Sequence, residues 1–231
     1  MFEREHHRRI GALLERLDHT LLLKQRCLFG GGTALALSRG EYRESIDIDF
    51  ICSSIDGYRG LRERVRENDA SWVFREPVTL HREPRVDQYG IRFAAGIDAV
   101  AVKIEITFEA RIELDDPRPE ERLCGAWTLR PDDLTAAKLM ANADRYADDA
   151  MASRDLIDLA MLSDDAVLPA AGVAKARRAY GRSIEHAFMR SKALLLEREG
   201  RLALCMKRMK MTLPEAALRQ RIEALRIDPP R

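Results

Sequence analysis

Two aspartates one residue apart, Asp47 and Asp49, lie in the run Ile46-Asp47-Ile48-Asp49-Phe50. The alternation has period two, which predicts a strand with both carboxylates on one face. Like charges at that spacing repel one another unless a cation lies between them. Oxygen-only ligands suit a hard ion, and Mg²⁺ is usually held by one or two carboxylates together with substrate phosphates. Upstream, Gly30-Gly31-Gly32-Thr33 ends a short apolar run. Glycines lack Cβ atoms, so a phosphate can approach the backbone closely. A helix starting near Gly32-Thr33 would add free N–H groups and a favourable dipole. Taken singly, these features read as a tight turn and a solvated strand face. In this order and spacing they point to a site for Mg²⁺ or Mn²⁺ with a nucleoside triphosphate.

A third carboxylate is available. Val100 to Thr107 also alternates, with Lys103 and Glu105 on one face and Val102, Ile104 and Ile106 on the other. Beside the aspartate strand, Glu105 completes a three-carboxylate metal site. The plainer reading is a Lys–Glu pair facing solvent.

The string Phe29-Gly30-Gly31-Gly32-Thr33-Ala34-Leu35-Ala36-Leu37, followed by Arg43, Ser45 and Ile46-Asp47-Ile48-Asp49-Phe50, resembles the AbiEii/AbiGii-type nucleotidyltransferase toxins. That family is part of the polymerase-beta-like superfamily. Lys103-Ile104-Glu105, Thr135-x-x-Lys138 before Asn142 and Arg145, and Arg154-Asp155-x-x-Asp158-Leu159 are similar to later family motifs. The resemblance covers roughly residues 20 to 165. It implies an α+β fold: a mixed nucleotidyltransferase sheet with flanking helices, followed by a C-terminal helical bundle. It also implies Mg-dependent transfer of a nucleoside monophosphate from an NTP to an acceptor hydroxyl, with a tRNA 3′ end as the acceptor class. A toxin–antitoxin or abortive-infection setting and a cognate antitoxin follow from the same resemblance. Asp47, Asp49 and Glu105 are then the metal ligands and, with Asp155, the catalytic acids. Gly31, Gly32, Thr33, Arg43, Ser45 and Lys138 are the nucleotide-binding residues. Without the resemblance Lys138 reads as a surface lysine, and Arg154 and Asp158 read as a structural i,i+4 pair. The sequence departs from the family pattern at Gly40-Glu41-Tyr42-Arg43 and in having Glu rather than Asp as third acid. Two other readings stand beside this one: a transferase for a small-molecule or protein hydroxyl, and a non-catalytic binding module of the same fold.

The surrounding elements must position these groups. Ile10, Leu13, Leu14, Leu17 and Leu21 predict one helix over residues 3–24. His6 and His7, adjacent on that helix, make a poor metal pair. Strands are expected over 27–29 and 46–52, and helices over 33–39 and 58–67. Short strands follow at 72–74, 78–80, 91–93 and 100–107, then one more within 123–129, with Pro77, Pro84, Gly90 and Gly96 between them. A boundary falls before Pro131, giving a nucleotidyltransferase core at 1–130 and a helical domain at 131–231. Further helices are expected over 170–189, 191–209 (with Gly200 a candidate break) and 214–226, with a loose tail at 228–231.

Composition excludes several classes. Cys27, Cys52, Cys124 and Cys205 are scattered, which argues against a zinc site or a disulfide framework and suits a reducing cytoplasm. No run approaches a membrane span. Net charge is +1 but uneven. Residues 132–165 hold nine acids against three bases, and residues 175–231 hold fifteen bases against six acids. A basic end of that kind suits an RNA-handling protein, or is an ordinary solvated helix surface.

Overall fold

The computed structural model describes residues 2–151 and 153–227. The tail 228–231 lies outside the described residues. Two compact units emerge. The first is Met1–Ser38 with Ser45–Arg130, and the second is Arg39–Glu44 with Pro131–Arg231. The division after Arg130 is followed at once by Pro131, which opens a helix at the position where its missing N–H costs nothing. The six residues 39–44 belong to the helical unit although they sit between a helix and a strand of the first.

The first unit begins with α1 (Glu5–Glu15) and α2 (His19–Lys24). The single helix expected over 3–24 is therefore broken. Asp18 accepts a hydrogen bond from the Leu21 N–H at 2.9 Å and caps a new helix, while Leu17 bridges to Phe74. Then come β1 (Cys27–Gly30), α3 (Gly31–Ser38), β2 (Asp47–Cys52) and α4 (Ile55–Asn68). Strands β3 (Thr79–Val86), β4 (Gly90–Gly96) and β5 (Val102–Phe108) complete one five-stranded sheet in the order β1-β2-β5-β4-β3. Only β2 and β5 run parallel, so the sheet is mixed.

Alternation splits the sheet cleanly. Ile48, Phe50, Ile91, Phe93, Ile104 and Ile106 face the core, with Ile10, Leu13, Leu14, Leu61 and Val65 from the helices. Their neighbours Asp47, Asp49, Arg92, Lys103 and Glu105 occupy the other face.

Three strand expectations change. Trp72-Val73-Phe74 lies in and just after a 3₁₀ turn, Ser71–Val73. Pro84 does not end β3, because that strand is at the sheet edge, where a missing N–H is tolerated. Residues 123–129 form not one strand but part of a hairpin, β6 (Arg122–Leu123) and β7 (Ala126–Trp127). Its two turn residues, Cys124 and Gly125, both have positive φ, as the tightest hairpin turns require.

The second unit is helical: α5 (Pro131–Arg145), α6 (Arg154–Leu162), α7 (Ala170–Tyr180), α8 (Ser183–Glu197), α9 (Arg201–Arg208) and α10 (Glu215–Ala224). Helix α5 packs on α6, α7 and α8, and α10 closes against α6, α8 and α9. Gly172 allows the close approach of α7, since a Cβ there would lie 2.3 Å from the Asp132 carbonyl oxygen. The helix expected over 170–189 stops at Tyr180, because Gly181 takes a left-handed conformation, φ 63°. Gly200, φ 67°, likewise separates α8 from α9.

Candidate active site

The register of the sheet decides which side chains meet. Asp47 is opposite Lys103 and Asp49 is opposite Glu105 across the parallel β2–β5 pair. On the far side of each, Gly30 is opposite Asp49 and Arg92 is opposite Glu105. One row across the face therefore reads Gly30, Asp49, Glu105, Arg92.

Asp49 packs directly against the glycine turn. Gly31 has φ 68°, and a Cβ on it would lie 2.5 Å from Asp49 Oδ2. Only glycine suits both the backbone conformation and the space. Helix α3 begins at Gly31, two residues earlier than expected, so the N–H groups of its first turn open beside Asp49.

The segment leading into β2 is held from below. Thr33 is fully buried, and its hydroxyl donates to Ser45 Oγ at 2.7 Å. The Ser45 N–H donates to Nε2 of the fully buried His7 at 3.1 Å. Nε2 of His6 hydrogen-bonds the Ile46 carbonyl oxygen at 3.0 Å. The two histidines thus position the start of the aspartate strand. Sequence reasoning missed this role because nothing in a His-His pair on an amphipathic helix says which strand it will meet. The Thr33 hydroxyl is thus spent on Ser45 inside the protein.

The expected convergence of three carboxylates on one ion is not what the face presents. Among the described residues no cluster of three or more His, Cys, Asp or Glu is arranged to hold a metal. Glu105 Oε1 accepts from Arg92 Nε at 2.8 Å, and Glu105 Oε2 accepts from Lys103 Nζ at 2.7 Å. Burial opposes charge on Glu105, but Lys103 and Arg92 outweigh it and hold the carboxyl below the usual range. Both its oxygens are committed to cations, so Glu105 is a poor third ligand. Lys103 also lies 3.9 Å from Asp47 Oδ2, too far for a hydrogen bond. Asp47 stays accessible, with its side chain 35% exposed, and Asp49 is half-buried.

The remaining predicted residues gather inside the helical unit. Arg43, expected at the nucleotide, is buried, and its Nε and Nη2 donate to the two oxygens of Asp158 at 2.7 and 2.9 Å. Tyr42 donates its hydroxyl to the same carboxylate at 2.6 Å. Lys138, expected at the phosphates, is also buried, 2.6 Å from Asp158 Oδ2 and 3.0 Å from Asp155 Oδ1. Asp155, expected as a catalytic acid, further accepts from Arg145 Nε at 2.6 Å and Arg145 Nη2 at 2.9 Å. Burial raises the cost of ionising Asp155, yet Lys138 and Arg145 more than offset it and hold its carboxyl far below the usual range. Asp158, fully buried, is pushed up by burial and down further by Arg43 and Lys138. The i,i+4 pairing expected of Arg154 with Asp158 is replaced by these longer-range partners.

An open aspartate pair beside a helix N-terminus, on a mixed sheet of this order, defines a nucleotidyltransferase, and the comparisons bear on which kind. The model of the family described as "Nucleotidyl transferase AbiEii toxin, Type IV TA system" matches residues 12–230. The chain belongs to that family, and it is an enzyme of the nucleotidyltransferase class. No curated protein matches. Among solved structures, a putative nucleotidyltransferase from H. pylori is 16% identical with a TM-score of 0.52, covering 92% of this chain and 90% of that one. JHP933 from Helicobacter pylori is 14% identical with a TM-score of 0.52, covering 96% and 90%. MenT4, a nucleotidyltransferase toxin from Mycobacterium tuberculosis H37Rv, is 18% identical with a TM-score of 0.48, covering 96% and 85%. At these identities the first two likenesses speak for the shared fold. No helix among the described residues is long and apolar enough to cross a membrane.

Proposed function

We propose that the first unit is the nucleotidyltransferase core and moves a nucleoside monophosphate from an NTP to an acceptor hydroxyl, with the 3′ end of tRNA as acceptor. The observation that carries this reading is the accessible Asp47–Asp49 pair with the Gly31 turn closed against it. The donor set fits a hard divalent ion: two oxygen ligands from one strand face, with room for phosphates to supply the rest. Asp47 and Asp49 would hold Mg²⁺ or Mn²⁺, which when bound supplies positive charge where the transferring phosphoryl group gathers negative charge. The first-turn N–H groups of α3 would receive the β- and γ-phosphates. The acceptor oxygen forms a bond to the α-phosphorus as the bond to pyrophosphate breaks, and an aspartate oxygen takes the hydroxyl proton. His7, Ser45 and Thr33 hold β2 still while this happens.

The family places the protein as a toxin with a cognate antitoxin, and the reading places its action in the cytoplasm, where NTPs and tRNA are found. The test is to incubate the protein with each labelled NTP, tRNA and Mg²⁺, beside an Asp49→Asn variant. Label on tRNA with the wild type and none with the variant supports the reading. Label on protein or on a small molecule instead would replace the acceptor, and no label under any NTP would refute the transfer itself.

A further inference from the structure

The face that carries the aspartates does not end at β5. Following the register outward, Ala94 of β4 is opposite Lys103, and Arg82 of β3 is opposite Ala94. In the next row Arg92 is opposite Glu105, and Arg85 is opposite Arg92. Arg82 and Arg85 are three residues apart, so in a regular strand they would point to opposite faces. The irregularity in β3 between them brings both opposite residues of the aspartate face. Bulges re-aim side chains in this way.

The result is a charge gradient across one surface: two aspartates on β2, a Lys–Glu pair on β5, one arginine on β4 and two on β3. Glu105 holds the inner two cations in place, with Lys103 and Arg92 on its two oxygens. Lys103 is 48% exposed and commits one of its three protons to Glu105. Arg82 and Arg85 are exposed, and among the described residues neither pairs with an acid. Three strand spacings separate β2 from β3, about 14 Å. A stacked nucleic-acid strand carries one phosphate per about 3.4 Å. The row therefore spans roughly four nucleotides, more than one triphosphate seated at Asp49 would cover.

We propose that Lys103, Arg85 and Arg82 form the track on which the acceptor strand lies, a single-stranded RNA end whose phosphates meet these cations and whose terminal hydroxyl reaches Asp47 and Asp49. The assignment rests on the transfer reading above for its direction, but not for the binding it requires. Glu105 is a positioning residue in this track. Charged residues and proline also protect exposed sheet edges from pairing with other chains. That role would need no RNA, and the measurement separates the two.

A short fluorescein-labelled single-stranded RNA is titrated with wild-type protein and with the double variant Arg82→Ala/Arg85→Ala, without NTP, at salt from about 50 to 200 mM. Both arginines are on the exposed side of an edge strand, so the fold survives their loss. Anisotropy should show about tenfold weaker binding in the variant. The logarithmic salt slope should be shallower by about 1.4, the value for two lost contacts to a single strand. Binding of a fluorescent triphosphate analogue with Mn²⁺ should not change. Unaltered RNA affinity and slope overturn the track and leave the arginines as edge protection. An equal loss of triphosphate binding overturns it in favour of the nucleotide, and wild-type protein that binds no RNA overturns it outright. Failure of label transfer to tRNA refutes the proposed acceptor separately, because this titration needs no turnover.

Discussion

The molecule holds two aspartate pairs with similar neighbours and opposite fates. On the sheet face, Asp47 and Asp49 share their surroundings with Lys103, Glu105 and Arg92. In the helical unit, Asp155 and Asp158 share theirs with Lys138, Arg43 and Arg145. On the sheet the nearest cation to Asp47 is 3.9 Å away and the side chain remains a third exposed. In the helices Asp158 has no exposed surface, and four donor atoms from three residues lie within 2.9 Å. Burial, not residue type, decides which charges a substrate can use. A carboxylate in water can release a weak partner for a metal, whereas a buried one that loses its partner leaves an unpaired charge in a poor solvent.

The contrast predicts the largest effect in the helices. Asp158→Ala leaves Arg43 and Lys138 buried without their shared counter-ion, a loss of about 3–5 kcal/mol. Chemical denaturation should show it as a lower midpoint, and the double variant Asp158→Leu/Arg43→Met should recover part of it. A single variant as stable as wild type would break the comparison.

On the sheet the effect moves from stability to rate. Asp49→Asn should lower transfer by about 10³-fold with an unchanged denaturation midpoint. Glu105→Gln should retain Mn²⁺ binding, which calorimetry reads directly. Loss of Mn²⁺ binding in Glu105→Gln equal to that in Asp49→Asn would restore the third ligand. Gly31→Ala is smaller. Its left-handed backbone and the contact with Asp49 cost about 1–3 kcal/mol, seen as a raised KM for NTP.

The smallest expected effect is an absence of change. Asp155 and Asp158 have folded-state pKa values depressed below 3.8. A depressed carboxyl contributes stability that is fully present above its unfolded value and lost as pH falls through its folded value. Melting temperature should therefore show no loss from this network between pH 7 and about 5, then fall below about 4. Lys138→Met should make that acid limb shallower. A wild-type loss centred near pH 6 would mean that some other group governs.

The sheet was legible because its signals are local. Period-two alternation in Ile46–Phe50 and Val102–Ile106 fixed which residues share a face, and the glycine turn marked the start of α3 to within two residues. The register was not legible, since nothing in the sequence says that Glu105 will stand between Lys103 and Arg92. Arg92 and Arg85 escaped notice for the same reason. The plain reading of Lys138 as a surface lysine was wrong, and its helix neighbours Thr135 and Asn142 are buried with it. All three are buried, because α6, α7 and α8 cover that helix. The pairing of Arg43 with Asp158 was not legible, because a motif read along the chain gives no hint that six residues between a helix and a strand will pack into the helical unit.

Those six residues have a consequence for biosynthesis. Tyr42 and Arg43 leave the ribosome more than a hundred residues before Asp158, the carboxylate they will hold. During that interval the nascent chain carries them unsatisfied, and a fragment starting at Pro131 would never acquire them. Completing the helical half is thus an act of the whole polypeptide, timed by translation of its later part.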